Sequence, residues 1–173
     1  NDYDGINNIK TINDNAGTAI KVDDPIVDLI LSAKQWYEKT DGAVNIALGP
    51  VLNIWHEYRT LGTENPDEAQ LPTTEELSEA AEHCDISKVI VDEENSTVLI
   101  EEGMRLDVGA IAKGFATQYV TDMLVEKGYD HILISAGGNV RAIGTPVGDR
   151  TKWGVGIKDP DSALGYSLSE DNL

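Results

Sequence analysis

Apolar residues recur at helical spacing from about residue 25 to residue 39, and nowhere after that does the chain settle into a regular alternation of helix and strand. Ile26, Leu29, Ile30, Ala33, Trp36 and Tyr37 make one broad apolar face. Pro25 suits the first helical position, Asp23 or Asp24 can cap it, and Gly42 supplies a left-handed stop. Residues 1–23 are polar and read as loop with one helical turn around Ile6 to Ile12. Residues 43–48 read as a short strand, Gly49-Pro50 opens a helix to about Tyr58, and 60–72 read as loop. Thr73 with Glu76 is a capping-box pattern for a helix to about His83. Residues 87–91 and 97–101 flank an acidic turn as a hairpin does. A strand near 105–108 precedes a glycine turn. The next helix carries Ala112, Ala116, Tyr119, Val120, Met123 and Leu124 on one face and stops at Gly128. Strands are expected at 131–135, as a buried run, and at 139–143 and 153–157. This order implies an α+β fold, a mixed sheet with flanking helices, rather than a βαβ array.

Charge narrows the function. The 173 residues hold 31 acidic and 13 basic side chains, a formal net charge of −18. Such a chain does not bind a nucleic-acid backbone or an anionic membrane through bulk charge, since both need a basic face. A single cysteine, Cys84, excludes an internal disulfide and a cysteine-rich metal site. His56, His83 and His131 stand far apart in no metal-binding pattern, and no G-x-S-x-G elbow is present, so these residues read as structural. Asp159, Asp161 and Glu170 fall at calcium-loop positions 1, 3 and 12. However, Ala163 and Leu164 occupy the places of an oxygen ligand and the glycine.

The segment Leu106-Asp107-Val108-Gly109-Ala110-Ile111-Ala112-Lys113-Gly114 runs from strand through glycine turn to helix start, where backbone N–H groups can hold phosphate. Lys113 falls in the first helical turn, where a lone cation opposes the helix dipole and a bound anion reverses that term. Asp107 can accept from a ligand or hold Lys113. An ordinary strand–helix turn with an exposed lysine is the other reading of the same residues. The segment is neither a Walker A loop, since Lys113 precedes Gly114, nor a Rossmann G-x-G-x-x-G. Ala136-Gly137-Gly138-Asn139 allows a close backbone approach or a simple hairpin turn. Asn45 can present an amide to a ligand or satisfy its own backbone. Seven of the 13 basic residues lie between Arg105 and Lys158, in the half that holds the glycine turns.

Together these segments resemble the ApbE family of FAD:protein FMN transferases. The likeness rests on Thr40-Asp41-Gly42-Ala43 running to Gly49-Pro50 and Trp55, on residues 106–116, and on Ala136-Gly137-Gly138-Asn139-Val140-Arg141. Ile9-Lys10-Thr11-Ile12-Asn13 near the start is similar to the family's N-terminal stretch. The resemblance implies FAD as substrate, a magnesium ion, and transfer of FMN to a threonine or serine hydroxyl of a target flavoprotein with release of AMP. By motif position, Ala43, Val44, Asn45, Asp107 and Lys113 would contact FAD, and the Ala110 main-chain carbonyl would bind magnesium. No catalytic side chain is assigned. The family usually has Phe-Asp where this chain has Val44-Asn45, and a second glycine where it has Ala110.

The resemblance further implies that residues 1–173 are the central part of a single domain. Its N-terminal strand and the C-terminal Asp and Thr that complete the metal site would then lie outside the chain. Acceptors would be flavoprotein subunits of respiratory ion pumps or related reductases, without nucleic acid. The location would be the extracytoplasmic face of the bacterial membrane, reached through an upstream lipid anchor. An FAD pyrophosphatase, a non-catalytic flavin-binding protein and a plain α+β interaction domain are the alternatives.

Overall fold

In the computed structural model, which describes residues 5–157, Asn8 caps the first helix. Its side chain accepts from the N–H groups of Lys10 and Thr11, while Thr11 returns a bond to the Asn8 N–H, and the helix α1 (Ile9–Asp14) follows. The chain divides into two compact units, one ending at Ala112 and the other beginning at Lys113. The α+β class holds in both, and every strand pairing among the described residues is antiparallel.

In the first unit, a strand the sequence did not signal, β1 (Ile20–Lys21), joins β2 (Ile90–Asp92) and β3 (Thr97–Leu99) in the order β1-β3-β2. The β2–β3 hairpin is shorter than expected. Asp85 accepts from the Ser87 N–H at 2.9 Å and turns residues 86–88 into a 3₁₀ segment. The helix α2 (Asp24–Lys39) buries Val27, Leu29, Ile30 and Ala33. Trp36 is not part of that buried face: it is 48% exposed, with Lys39 Nζ 5.2 Å from its ring centroid. Asp23 occupies the cap position without a side-chain bond. Ile12, Ile30, Ile46, Val89, Val98, Ile100 and Leu106 meet in one core, each worth about 1.5–3 kcal/mol of burial.

Residues 43–48 are not a strand. Asn45 accepts from the Ala47 N–H at 2.8 Å and caps a 3₁₀ turn, Ile46–Leu48, that leads directly into α3 (Gly49–Glu64). That helix runs past Tyr58 into the stretch expected to be loop. The Thr60 and Thr63 hydroxyls donate to the His56 and Arg59 carbonyls at 2.8 and 2.7 Å, which removes their competition with the helix. The expected strand at 105–108 is absent as well. Asn13 takes the place of a neighbouring strand, accepting from the Leu106 N–H at 2.7 Å and donating to the Leu106 carbonyl at 2.9 Å.

The helix α4 (Thr74–Ala81) ends two residues before the expected His83 and carries the anticipated capping box. Glu76 accepts from the Thr73 N–H and hydroxyl, both at 2.7 Å, and from the Tyr58 hydroxyl. These bonds, the Thr73 backbone bond first, hold its carboxyl below the usual 4.5. A depressed folded-state value stabilises the fold above pH 4.5, and that contribution is lost as pH falls through the lower folded value. The Tm difference between the wild type and Glu76→Gln should therefore be full at pH 7 and shrink below pH 4.5. A constant difference down to pH 3 would contradict this account.

The second unit holds α5 (Ala112–Glu126) from its second residue on, with the hairpin β4 (Ile132–Ala136) and β5 (Asn139–Ile143). Register is set by Ala136 facing Asn139 across Gly137-Gly138. The expected apolar face of α5 is not the buried one. Thr117 and Thr121 are buried, their hydroxyls donating to the carbonyls of Lys113 and Thr117, while Tyr119, Val120 and Met123 are exposed. Hydroxyls that return to the helix backbone make a threonine face as dry as an apolar one. Nor is residues 131–135 a wholly buried run, since Ile132 is covered and Leu133 is 40% exposed. Residues 153–157 form no strand. Gly154 and Gly156 interrupt the segment, and Val155 and Ile157 are exposed. The calcium-like positions Asp159, Asp161 and Glu170 lie outside the described residues.

Candidate functional site

Asp107 is placed by its neighbours in the chain rather than by a sheet. Its N–H donates to the Ile46 carbonyl at 2.8 Å, tying the segment to the 3₁₀ turn that opens α3. Its Oδ1 accepts from the Gly109 N–H at 2.8 Å, an Asx turn that bends the chain toward α5. The Val108 carbonyl then accepts from both the Ile111 and Ala112 N–H groups, and Ala110 stands exposed on the outside of the bend. Oδ2 makes no hydrogen bond among the described residues of the first unit, where His56 Nε2 stands 3.8 Å away. The carboxylate is 30% exposed, with one oxygen committed to the turn and the other beside His56. His56 has no role in the sequence reading. It reaches Asp107 because α3 begins where residues 45–48 bond the Asp107 segment, a contact that no local spacing signals.

The other first-unit candidates divide. Ala43 is exposed and Val44 half-buried, with the Val44 N–H donating to the Thr40 hydroxyl at 3.0 Å. Asn45 spends its amide on structure, its Oδ1 on Ala47 and its Nδ2 on the Cys84 carbonyl at 3.0 Å. It therefore reaches a ligand only by giving up one of these bonds. Cys84 is itself partly buried, and that burial pushes its thiol above the ordinary range, the opposite of a reactive cysteine. The His83 ring packs against Gly103, whose φ of +84° excludes a side chain there, in keeping with a structural role.

In the second unit Lys113 is exposed in the first turn of α5, and among the described residues of that unit no carboxylate pairs with it. Gly114 and Thr117 on the same helix, with Gln118, Asn139, Val140 and Arg141, line an open cavity of about 190 Å³. The Arg141 guanidinium bonds Gln118 and pairs with Asp122 at 3.2 Å, and Gln118 closes the triad by donating to Asp122. Arg141 Nε is buried without a partner.

Taken separately, Asp107 offers a carboxylate for N–H or O–H donors and Lys113 an exposed ammonium for anionic oxygen. Magnesium needs oxygen ligands and commonly keeps substrate phosphates and waters among them. The exposed Ala110 carbonyl can supply one such oxygen. Among the described residues no group of three His, Cys, Asp or Glu converges, so they form no all-protein cage for an ion.

Residues 1–171 match the profile of the ApbE family. Two curated relatives named FAD:protein FMN transferase, from Treponema pallidum (strain Nichols) and Klebsiella pneumoniae (strain 342), are each 34% identical to the chain. Each alignment covers 88% of this chain and 44% of the relative. The crystal structure of the ApbE protein of Thermotoga maritima superposes with a TM-score of 0.69 at 32% identity, over 88% of this chain and 48% of that one. The apo flavinyl transferase ApbE of Pseudomonas stutzeri does so with a TM-score of 0.69 at 25% identity. The chain thus spans less than half the length of the curated relatives it matches.

Proposed function

The chain belongs to the ApbE family, and from that premise we propose that it serves as part of an FAD:protein FMN transferase. The observation that most supports this reading is Asp107. This aspartate stands on an ordered turn with one oxygen fixed by Gly109 and the other, in a part-exposed carboxylate, beside His56. In the proposed reaction the hydroxyl oxygen of a threonine or serine on the acceptor bonds to the FMN phosphorus of FAD. The bond from that phosphorus to the bridging oxygen breaks, AMP departs with the bridging oxygen, and the hydroxyl proton passes to solvent.

Asp107 would orient FAD by accepting from one of its donors. Lys113 would neutralise charge on the pyrophosphate, which is where phosphoryl transfer gains most from a positioned cation. Ala43, Val44 and Asn45 would line the nucleotide. Magnesium, with the Ala110 carbonyl among its ligands, would supply further charge neutralisation at the phosphates. The acceptor is proposed to be a flavoprotein subunit of a respiratory ion pump or related reductase. The protein is proposed to work outside the cytoplasm from a lipid anchor. Among the described residues no helix is long and apolar enough to cross a membrane.

The test is AMP release from FAD by the full-length gene product, with and without magnesium and with a candidate acceptor. Magnesium-dependent AMP with FMN appearing on the acceptor is the expected result. AMP with all FMN in solution would favour a pyrophosphatase, and tight FAD binding without AMP would reduce the protein to a flavin binder.

A further inference from the structure

The Gly137-Gly138 turn belongs to a motif that the proposed function leaves without a task. Its two residues sit at φ of +55° and +91°, so both take the left-handed backbone that closes the β4–β5 hairpin. They differ in what lies above them. A methyl group on Gly137 would lie 3.4 Å from Lys113 Cδ and 3.8 Å from Lys113 Nζ, whereas one on Gly138 meets nothing within 4 Å. The stem of Lys113 therefore lies along the bare backbone of Gly137, and its ammonium is carried beside the turn. One residue further, Gly114 faces the same hairpin, a methyl there reaching 3.6 Å from Asn139 Oδ1. The first turn of α5 and the glycine turn form one packed piece within the second unit.

From this contact we infer that Gly137 is a positioning residue for Lys113: its missing side chain is the seat that fixes where the ammonium points. The inference rests on the proposed role of Lys113 toward FAD phosphate. A hairpin turn alone needs glycine or asparagine at such a position, because asparagine tolerates left-handed backbone better than other side chains. A seat for Lys113 takes nothing larger than a methyl, which already makes contact with the lysine stem, and a longer side chain competes for the stem's volume. Asparagine at 137 thus separates the two demands, keeping the turn and filling the seat. Gly138→Asn is the control, since it places the same side chain on the more strained residue and in open space.

The experiment is a double-mutant cycle in the full-length protein, reading FAD affinity by flavin fluorescence with Tm measured alongside. Lys113→Ala should weaken binding roughly tenfold, and Gly137→Asn by several-fold, as expected for a displaced charge-assisted contact. In the Lys113→Ala background Gly137→Asn should cost nothing more, because the side chain it displaces is gone. Gly138→Asn should leave affinity near wild type whatever it does to Tm. If Gly137→Asn loses its thermal transition, Gly137→His, another side chain found more often at positive φ, carries the same cycle with the same several-fold effect.

An equal loss from Gly137→Asn in both backgrounds would mark a purely structural glycine and overturn the inference. So would no loss from Gly137→Asn while Lys113→Ala weakens binding, and that outcome leaves the proposed function standing. If Lys113→Ala itself leaves affinity unchanged, the reading of Lys113 fails first and the inference falls with it.

Discussion

Asp107→Asn is expected to leave the protein folded and to lower AMP formation from FAD by roughly 10- to 100-fold, the usual cost of removing a hydrogen bond to a charged group. The two carboxylate oxygens have separate tasks, so the prediction is sharper than a simple loss. Oδ1 accepts from the Gly109 N–H and shapes the turn, and asparagine can keep that bond. Oδ2, beside His56, is the atom proposed for FAD, and asparagine replaces that acceptor with a donor. Asp107→Ala removes both, so it should lose about 1 kcal/mol of stability in addition to the activity. Initial rates of AMP release in the full-length protein, with Tm for each variant, separate these effects. Wild-type rates in a folded Asp107→Asn protein would refute the assignment of Asp107 to FAD.

The elements that sequence pattern located correctly are those held by local chemistry. The Thr73–Glu76 box starts α4 where the spacing places it, Gly42 adopts the left-handed stop expected of it, Gly128 follows the end of α5, and Gly137-Gly138 makes the hairpin turn that is one of its two readings. Errors gathered where distant residues decide. The segment at 105–108 has the composition of a strand, yet its hydrogen bonds go to the Asn13 side chain, 93 residues from Leu106, and to Ile46. The apolar stripe of α5 pointed to the wrong face because the pattern cannot show that Thr117 and Thr121 have partners in their own helix.

The site follows the same division. Asp107 and Lys113 can be singled out as candidates because a turn-to-helix motif concentrates its chemistry in a few consecutive residues. His56 beside Asp107, the commitment of Asn45 to the backbone, and the seat of Lys113 on Gly137 are contacts between remote segments, and no local spacing encodes them.

One remote contact carries the other large expected effect. Gly49→Ala should lower the Tm by roughly 10 °C, a loss of about 3 kcal/mol or more, because the added methyl would overlap the Arg105 carbonyl. Gly49 is buried in the first turn of α3 and its φ is an ordinary helical −50°, so backbone strain plays no part. Alanine is the better helix former by up to about 1 kcal/mol, and a net loss would mean that packing outweighs propensity. Both segments that meet here bear on the site. The Asp107 N–H bonds the Ile46 carbonyl three residues before Gly49, so a displaced Arg105 moves the carboxylate's own support.

FAD affinity should therefore fall with stability in Gly49→Ala, even at temperatures where the protein remains folded. Gly114→Ala is the comparison for stability, since its methyl would meet only Asn139 Oδ1 at 3.6 Å, an ordinary contact, and it gains helix propensity. A Tm for Gly49→Ala equal to or above that of wild type would show that the 105–107 segment yields freely. The firm placement of Asp107 would then no longer support the proposed reading.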